Sequence, residues 1–508
     1  MAMDTATTAW SRRKPADGCR MKTRKRFLPS LAGAVALAVM AEPAMTAEWV
    51  FSEGLMLSEA YTDNVYLSET DTEGRWTTIV SPHFVLTGQG RRMSMELAAA
   101  FQFASNTEEN FYPQVRGSLT SELIEKRFFV DAFVSADQVT IDPLRPAGSP
   151  INATGNLANT YSIGINPYWV EHFGNLADLR LDYEYQREFF TGGDNTPNDR
   201  EFNNFYFDLA SGRAFSTFNW SLYGSYQHTA YQGNSGSNTT FKSLNARLGY
   251  ALTRHLSPYV TLGREWNSYQ TTGRRRGGDM WLVGAVWTPN PRVTLDAGYG
   301  YRFFGHYPYI NFTYRHRRST LRLSYTEDIE SGYQPLDQSG LLPTTNLAGN
   351  PVNPFSGSPG AVNAAQNVDA FNYDGAYVDK RFKAAYLLQG KRTSFGMDAS
   401  YSDKTYGDGT PGLLEWILGF RLSRQLGRQL SADARTSWER TETDNGFRAD
   451  TWDLGFGVTR QLGPSTHLRF SYTHAQRDSN RPNDDYTENR FALVLNVSLT
   501  GLAKHAGF

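Results

Sequence analysis

The chain has 508 residues, 14% of them aromatic, with 45 glycines and a near-balance of 50 Lys/Arg against 51 Asp/Glu. That balance excludes charge-driven nucleic-acid binding, and the uniform composition after residue 50, with no linker, excludes a string of separate domains. Abundant aromatics and glycines without long apolar runs favour strands and turns over helices.

The first element is an address. Met21 to Arg26 form a basic stretch, Phe27 to Met40 an apolar one, and Ala44-Met45-Thr46-Ala47 a cleavage site with Met45 where a small residue is preferred. This reads as a secretory signal, too short to anchor a chain in a membrane, with Met21 as the start. Residues 1–47 form an N-terminal extension and signal peptide, and 48–508 form one domain. The only cysteine, Cys19, falls in the first part, so the exported chain needs no disulfide. Residues 1–47 hold eight Lys/Arg and three Asp/Glu, which leaves 48–508 at a formal charge of −6.

Next comes SEAYTDNVYLSETDTEGRWTTIVSPHFVLTGQGRRMSMELAAAFQF, residues 58–103. A strand ending in Glu59-Ala60-Tyr61-Thr62-Asp63-Asn64-Val65 precedes a second strand carrying Pro82, a Gly88-Gln89-Gly90 turn and a third strand. This stretch resembles the outer-membrane porins associated with exosortase/PEP-CTERM exopolysaccharide gene clusters. The resemblance extends loosely over the exported chain. It implies a Gram-negative outer-membrane barrel with a part in exopolysaccharide export, and it brings no catalytic residues.

Further along, the period is two. Within 178–188, Leu179, Leu181, Tyr183 and Tyr185 oppose Arg180, Asp182, Glu184 and Gln186. Within 292–303, Val293, Leu295, Ala297, Tyr299, Tyr301 and Phe303 oppose Thr294, Asp296, Gly298, Gly300 and Arg302. Within 490–499, Phe491, Leu493, Leu495, Val497 and Leu499 oppose Ala492, Val494, Asn496 and Ser498. Strand side chains alternate faces, so each run has an apolar and a polar side.

About 22 such runs are separated by gaps that alternate in length. Short gaps include 88–91, 213–217, 254–257, 289–291, 390–392, 425–428 and 461–465. Long gaps include 63–74, 140–159, 191–200, 232–240, 330–377, 403–412 and 478–486. The phrase Arg424-Gln425-Leu426-Gly427 returns as Arg460-Gln461-Leu462-Gly463, and more loosely at Thr253 to Pro258, as the short turns of one rim would. The expected fold is all-β: a transmembrane antiparallel up-and-down β-barrel of about 22 strands, an even number between 18 and 24, with the short turns periplasmic. A soluble sandwich also alternates, but it does not explain so many tandem runs, aromatics at strand ends (Trp416, Trp438, Trp452) or the signal. Phe508 is an aromatic terminus, but 501–507 separates it from the last run.

No catalytic, cofactor-binding or metal-binding constellation stands out, and no enzyme activity is expected. Gly407 to Gly412 matches GxGxxG, yet a strand pattern follows where a dinucleotide site needs a helix. The nine histidines are scattered. Arg274-Arg275-Arg276 is a candidate clamp for lipopolysaccharide phosphate, weighed against a solvated loop tip. The acidic outer loops (Asp63, Glu69, Asp71, Glu73; Glu108, Glu109; Asp484, Asp485) could hold divalent ions between head groups or simply stay soluble.

The polar face offers candidate pore-lining residues: Arg180, Asp182, Glu184, Asp208, Asp296, Arg302, Arg322, Asp398, Arg421, Asp433, Arg435, Glu439, Asp453 and Arg469. Mixed signs favour pairing and passage of polar solutes without choice of ion sign. Loop 330–377, with Pro335, Pro343, Pro351, Pro354 and Pro359, is long enough to fold inward as a constriction or to remain outside. The expected function is a porin-like outer-membrane channel assisting exopolysaccharide export. The alternative is a non-conducting structural or adhesive barrel. A receptor with an N-terminal plug is not expected, since strand pattern starts at Trp49. Expected partners are outer-membrane lipid, lipopolysaccharide and polysaccharide, and no nucleic acid.

Overall fold

A computed structural model describes residues 47–146, 148–232, 238–268, 277–331, 344–345, 351–352 and 375–499. Strands β1 (Glu48–Thr62), β2 (Arg75–Gln89), β3 (Met93–Ala104), β4 (Phe111–Ile124), β5 (Phe128–Thr140), β6 (Leu157–Phe173), β7 (Ala177–Thr191) and β8 (Asp199–Ser211) begin a meander. It continues through β9 (Phe218–Gln232), β10 (Thr239–Tyr250), β11 (Leu256–Asn267), β12 (Gly277–Asn290), β13 (Val293–Arg302), β14 (Gly305–His316) and β15 (Ser319–Ser331). A two-residue ladder, β16 (Thr344–Thr345) with β17 (Pro351–Val352), lies within the next connection. The meander ends with β18 (Ala376–Gln389), β19 (Thr393–Tyr406), β20 (Leu413–Gln425), β21 (Leu430–Thr443), β22 (Arg448–Gly463), β23 (Thr466–Ser479) and β24 (Tyr486–Ser498).

Each long strand pairs antiparallel with the next, β15 with β18 across the long connection, and β24 returns to β1 from Gly54↔Ser498 to Thr62↔Arg490. The sheet is therefore a closed 22-stranded barrel. Closure pairs every strand on both sides, which is what a β-structure needs where no water can satisfy an edge. The shortest barrel strand has 10 residues and the longest 17, against the roughly 9–11 needed to cross hydrocarbon.

The period-two reading fixes which side is which. Tyr183, Tyr299, Tyr301, Phe491 and Leu493 are all more than 40% exposed, whereas Gln186, Ala492 and Val494 on the opposite face are buried. Exposed aromatics gather toward both strand ends. Trp49, Phe218, Tyr250 and Trp287 lie toward the short-turn rim, and Trp76, Phe103, Trp266, Trp416 and Trp452 toward the other. Two such belts flanking an apolar band are the signature of an outward face set in a bilayer.

The gap rhythm has two exceptions. On the long-loop rim, β13 and β14 are joined only by Phe303-Phe304, and β21 and β22 only by residues 444–447. Both hairpins are tight, and Gly446 takes the positive φ (90°) that its turn requires. The Gly407–Gly412 stretch is the loop between β19 and β20, with a strand on either side of it.

Candidate functional site in the barrel lumen

The fourteen charged residues named from the sequence all lie on barrel strands, and cross-strand register groups them on the face opposite the exposed apolar side chains. They form separate clusters. On β7, the Arg180 guanidinium donates to the Asp182 carboxylate at 2.7–3.1 Å and lies 4.5 Å from the Tyr168 ring centroid. Asp208 sits opposite Arg180 in register, and Glu184 is two residues beyond Asp182 on the same face. On β13, the Asp296 carboxylate accepts hydroxyl protons from Tyr259 (2.7 Å) and Tyr309 (2.5 Å). Arg302 bridges Glu265 (2.7 Å) and Asp328 (2.8 Å), with Phe304 and Tyr307 rings packed against its guanidinium. Arg322 is exposed on β15.

A third cluster spans β19 to β24. Arg421 approaches Asp398 at 4.0 Å, Arg435 donates to Asp453 at 3.3 Å, and Arg490 reaches the same Asp453 at 3.7 Å. Arg469 makes a two-pronged contact with Asp433 at 2.7 and 2.9 Å and also donates to Thr459. Asp433 is on β21 and Arg469 on β23, roughly 10 Å apart by strand spacing. The intervening Gly457 makes this reach possible, because a Cβ there would stand 2.2 Å from the Arg469 guanidinium. Gly455 serves Arg435 in the same way. Glu439 lies on the same face of β21, facing β20 and β22. Such charge-assisted forks fix geometry as well as energy and stiffen the wall.

One inward feature among the described residues was not among the sequence expectations. The described residues of the β5–β6 connection, 141–146 and 148–156, fold inward as a strap. Asn156 staples it: its Oδ1 accepts the Asp142 amide at 2.9 Å, and its Nδ2 donates to the Asp142, Arg145 and Pro146 carbonyls at 2.9–3.4 Å. A second turn is closed by the Asn152 amide on the Ser149 carbonyl and by the Ser149 amide on Asn152 Oδ1. The strap then docks on distant strands. Ile151, 1% exposed, packs in a cluster with Ala60, Ile79, Ala104, Tyr112 and Ala492, from β1, β2, β3, β4 and β24. Asn152 Nδ2 donates to Glu488 at 2.7 Å, Tyr112 donates to the Pro150 carbonyl at 3.0 Å, and the Ala153 amide donates to the Val65 carbonyl at 2.7 Å.

At its other end the strap reaches the far wall. Leu144 packs against Tyr377, Tyr406 and Leu413 of β18–β20, and its carbonyl accepts from Arg477 (3.0 Å) and Arg481 (3.3 Å). Rooted between β5 and β6 and touching β18–β20 through Leu144, the segment reaches across the long-loop end of the lumen. Beside its root, Glu109 accepts from Asn159 at 2.8 Å. Burial pushes the Glu109 carboxyl up from the ordinary range, Asn159 pulls it down, and Glu108 adds to the upward shift. The walls also touch elsewhere at this end: Thr229 of β9 stands 3.5 Å from Ser331 of β15, and Tyr231 donates to the Gly375 carbonyl. Strands six apart meet only if the wall curves inward.

The sequence reading gave 140–159 only as a long outer loop and named 330–377 as the loop that could fold inward as a constriction or remain outside. Most of 330–377, like Arg274–Arg276 and Phe508, lies outside the described residues. The signal for the strap was present in two buried isoleucines, Ile141 and Ile151, set in a polar loop.

Residues 389–499 match the protein family described as "Putative beta-barrel porin 2", which supports a β-barrel porin family for this chain. No curated protein matches the sequence. Among solved structures, the chain is similar to a mutant ferric enterobactin receptor from Pseudomonas aeruginosa in complex with enterobactin: TM-score 0.50, 11% identity, covering 89% of this chain and 82% of that one. It is equally similar to the FrpB iron transporter from Neisseria meningitidis: TM-score 0.50, 10% identity, covering 88% and 82%. At these identities the likeness is one of fold, an outer-membrane-type barrel.

Proposed function

We propose that this porin-like barrel is an outer-membrane channel for polar solutes, constricted at its long-loop end by the inward strap 141–156. The observation that carries the reading is the sided wall: apolar and aromatic side chains outside, paired charges of both signs inside, on a barrel of 22 strands. A barrel of that size leaves an aqueous bore unless something fills it. The mixed-charge lining favours uncharged or zwitterionic polar solutes over either ion sign, and exopolysaccharide is the solute class that the sequence resemblance implies. The strap crossing the lumen also favours a second reading, a closed structural barrel whose outer loops meet partners.

Single-channel recording separates the two. The folded full chain is compared with a variant in which Pro146–Ala153 is replaced by Gly-Ser-Gly, both shown to be folded by heat-modifiable gel migration. The channel reading expects small, discrete conductance from the native chain and a larger one from the variant. Silence from both would favour the closed barrel.

A further inference from the structure

The rim opposite the strap carries a charge pattern that conduction does not use. Ten short turns join strands there. Arg91, Arg213, Arg292, Arg317, Arg392 and Arg428 come from six different turns spread from β2 to β21, and all six are exposed. None makes an ion pair or a side-chain hydrogen bond among the described residues. The long-loop rim differs: Arg75, Arg145, Arg448 and Arg477 are each paired, with Glu73, Asp194, Asp450 and Asp484. Arg92 and Arg127 on the short-turn rim do pair, with Glu125 and Glu171, but among the described residues the six unpaired turn arginines gather on this rim.

The same rim exposes leucines, one of them, Leu426, in a turn that also carries an unpaired arginine, Arg428. Leu176, Leu252, Leu426 and Leu462 are all more than 50% exposed. The repeated Arg-Gln-Leu-Gly phrase supplies both kinds of group. Register places Arg424 and Arg460 on the outward face, in line with Leu422 and Phe420 on β20 and with Phe456 and Leu454 on β22, at the last step before the turn. An arginine so placed lays its stem along hydrocarbon and lifts its guanidinium to the polar boundary. The following leucine, Leu426 or Leu462, is more than half exposed.

We propose that the short-turn rim is a phosphate-binding collar that seats the barrel on the head groups of one phospholipid leaflet and selects anionic lipid there. Guanidinium forks match phosphate oxygens. A lipid leaflet is the partner that surrounds the whole perimeter and offers both anions for the arginines and hydrocarbon for the leucines. An acidic protein or polymer would satisfy the charges but leave the leucines in water. The inference rests on the barrel fold and is independent of whether the bore conducts.

The test uses the folded full chain in neutral detergent, titrated with phosphatidylglycerol or phosphatidylcholine in mixed micelles, with bound lipid read by native mass spectrometry. The native chain should retain phosphatidylglycerol at least tenfold more tightly at low salt, and 0.5 M salt should erase most of the preference. Each cation near an anionic surface contributes about fivefold, so the triple variant Arg424→Gln/Arg428→Gln/Arg460→Gln should lose at least tenfold. Arg448→Gln, on the opposite rim, should lose nothing. Heat-modifiable migration confirms that each variant is folded. Equal retention of the two lipids by the native chain, or an unchanged preference in the triple variant, would overturn the proposal. Displacement of phosphatidylglycerol by poly-glutamate at equal charge would overturn it too, in favour of an acidic macromolecule.

Discussion

Ile151→Ala should loosen the strap while leaving the barrel intact. Ile151 is 1% exposed and inserted among Ala60, Ile79, Ala104, Tyr112 and Ala492. Those neighbours are rigid strand residues, so the space vacated by three carbons will not collapse. Truncation of a buried isoleucine then costs roughly 2–4 kcal/mol, transfer and cavity terms together. All of it falls on the docking equilibrium of 141–156, because the strand ladder does not depend on this side chain. That is roughly a 30- to 1,000-fold rise in the undocked population. Amide hydrogen exchange reads it directly. The Ala153 amide, bonded to the Val65 carbonyl, and the Asn152 amide, bonded to Ser149, should lose protection by that factor. Amides of the β1–β24 ladder should not change. Asn152→Ala should cost less, since Glu488 keeps its hydrogen bond from Thr62 at 2.6 Å and its ion pair with Arg490. Unchanged protection at Ala153 in Ile151→Ala would refute the reasoning and show that the polar contacts alone hold the strap.

Leu262→Arg, outward at mid-strand on β11 and 57% exposed, should cost about 2–4 kcal/mol in a vesicle unfolding titration, whereas Leu262→Ala should cost far less. Equal costs would mean that this face does not meet hydrocarbon. Asp433→Asn leaves the Arg469 guanidinium, whose side chain is 4% exposed, without its charged partner. A loss near 3 kcal/mol in the same titration is expected, and a loss below 1 kcal/mol would show that lumen water replaces the carboxylate.

Strand phase was legible because it depends only on neighbours two apart. Tyr299 and Tyr301 point out, and Asp296 and Arg302 point in, as their alternation dictates. The inward-facing charges were legible for the same reason. Their partners were not: Arg469 reaches Asp433 across an intervening strand, and only Gly457 hints at that path. The strap was hidden for a deeper reason. Whether a loop folds in or out depends on what faces it across the lumen, and its docking surface is assembled from residues hundreds of positions apart. One trace was readable. Ala60, Ile79, Ala104 and Ala492 are small or apolar on a face that should be wet, and such a patch inside a water-filled tube calls for a cover. The tight β13–β14 hairpin on the long-loop rim was missed because Arg302 and Gly305 carry the alternation almost through the turn.

The strap's attachments also order events in time. Its stem emerges between the fifth and sixth strands, but the Asn152 bond to Glu488 spans 336 residues and the Leu144 bond to Arg477 spans 333. Contacts so distant in sequence form late, because the loops they close must already be ordered by everything between. Strand β24 must be seated against β1 before Glu488 is in position. A nascent barrel with a missing or misregistered final strand therefore has an unlatched strap and a patent mouth. Latching marks the completed cylinder, so protease resistance within 141–156 would serve as a clock for the last step of assembly.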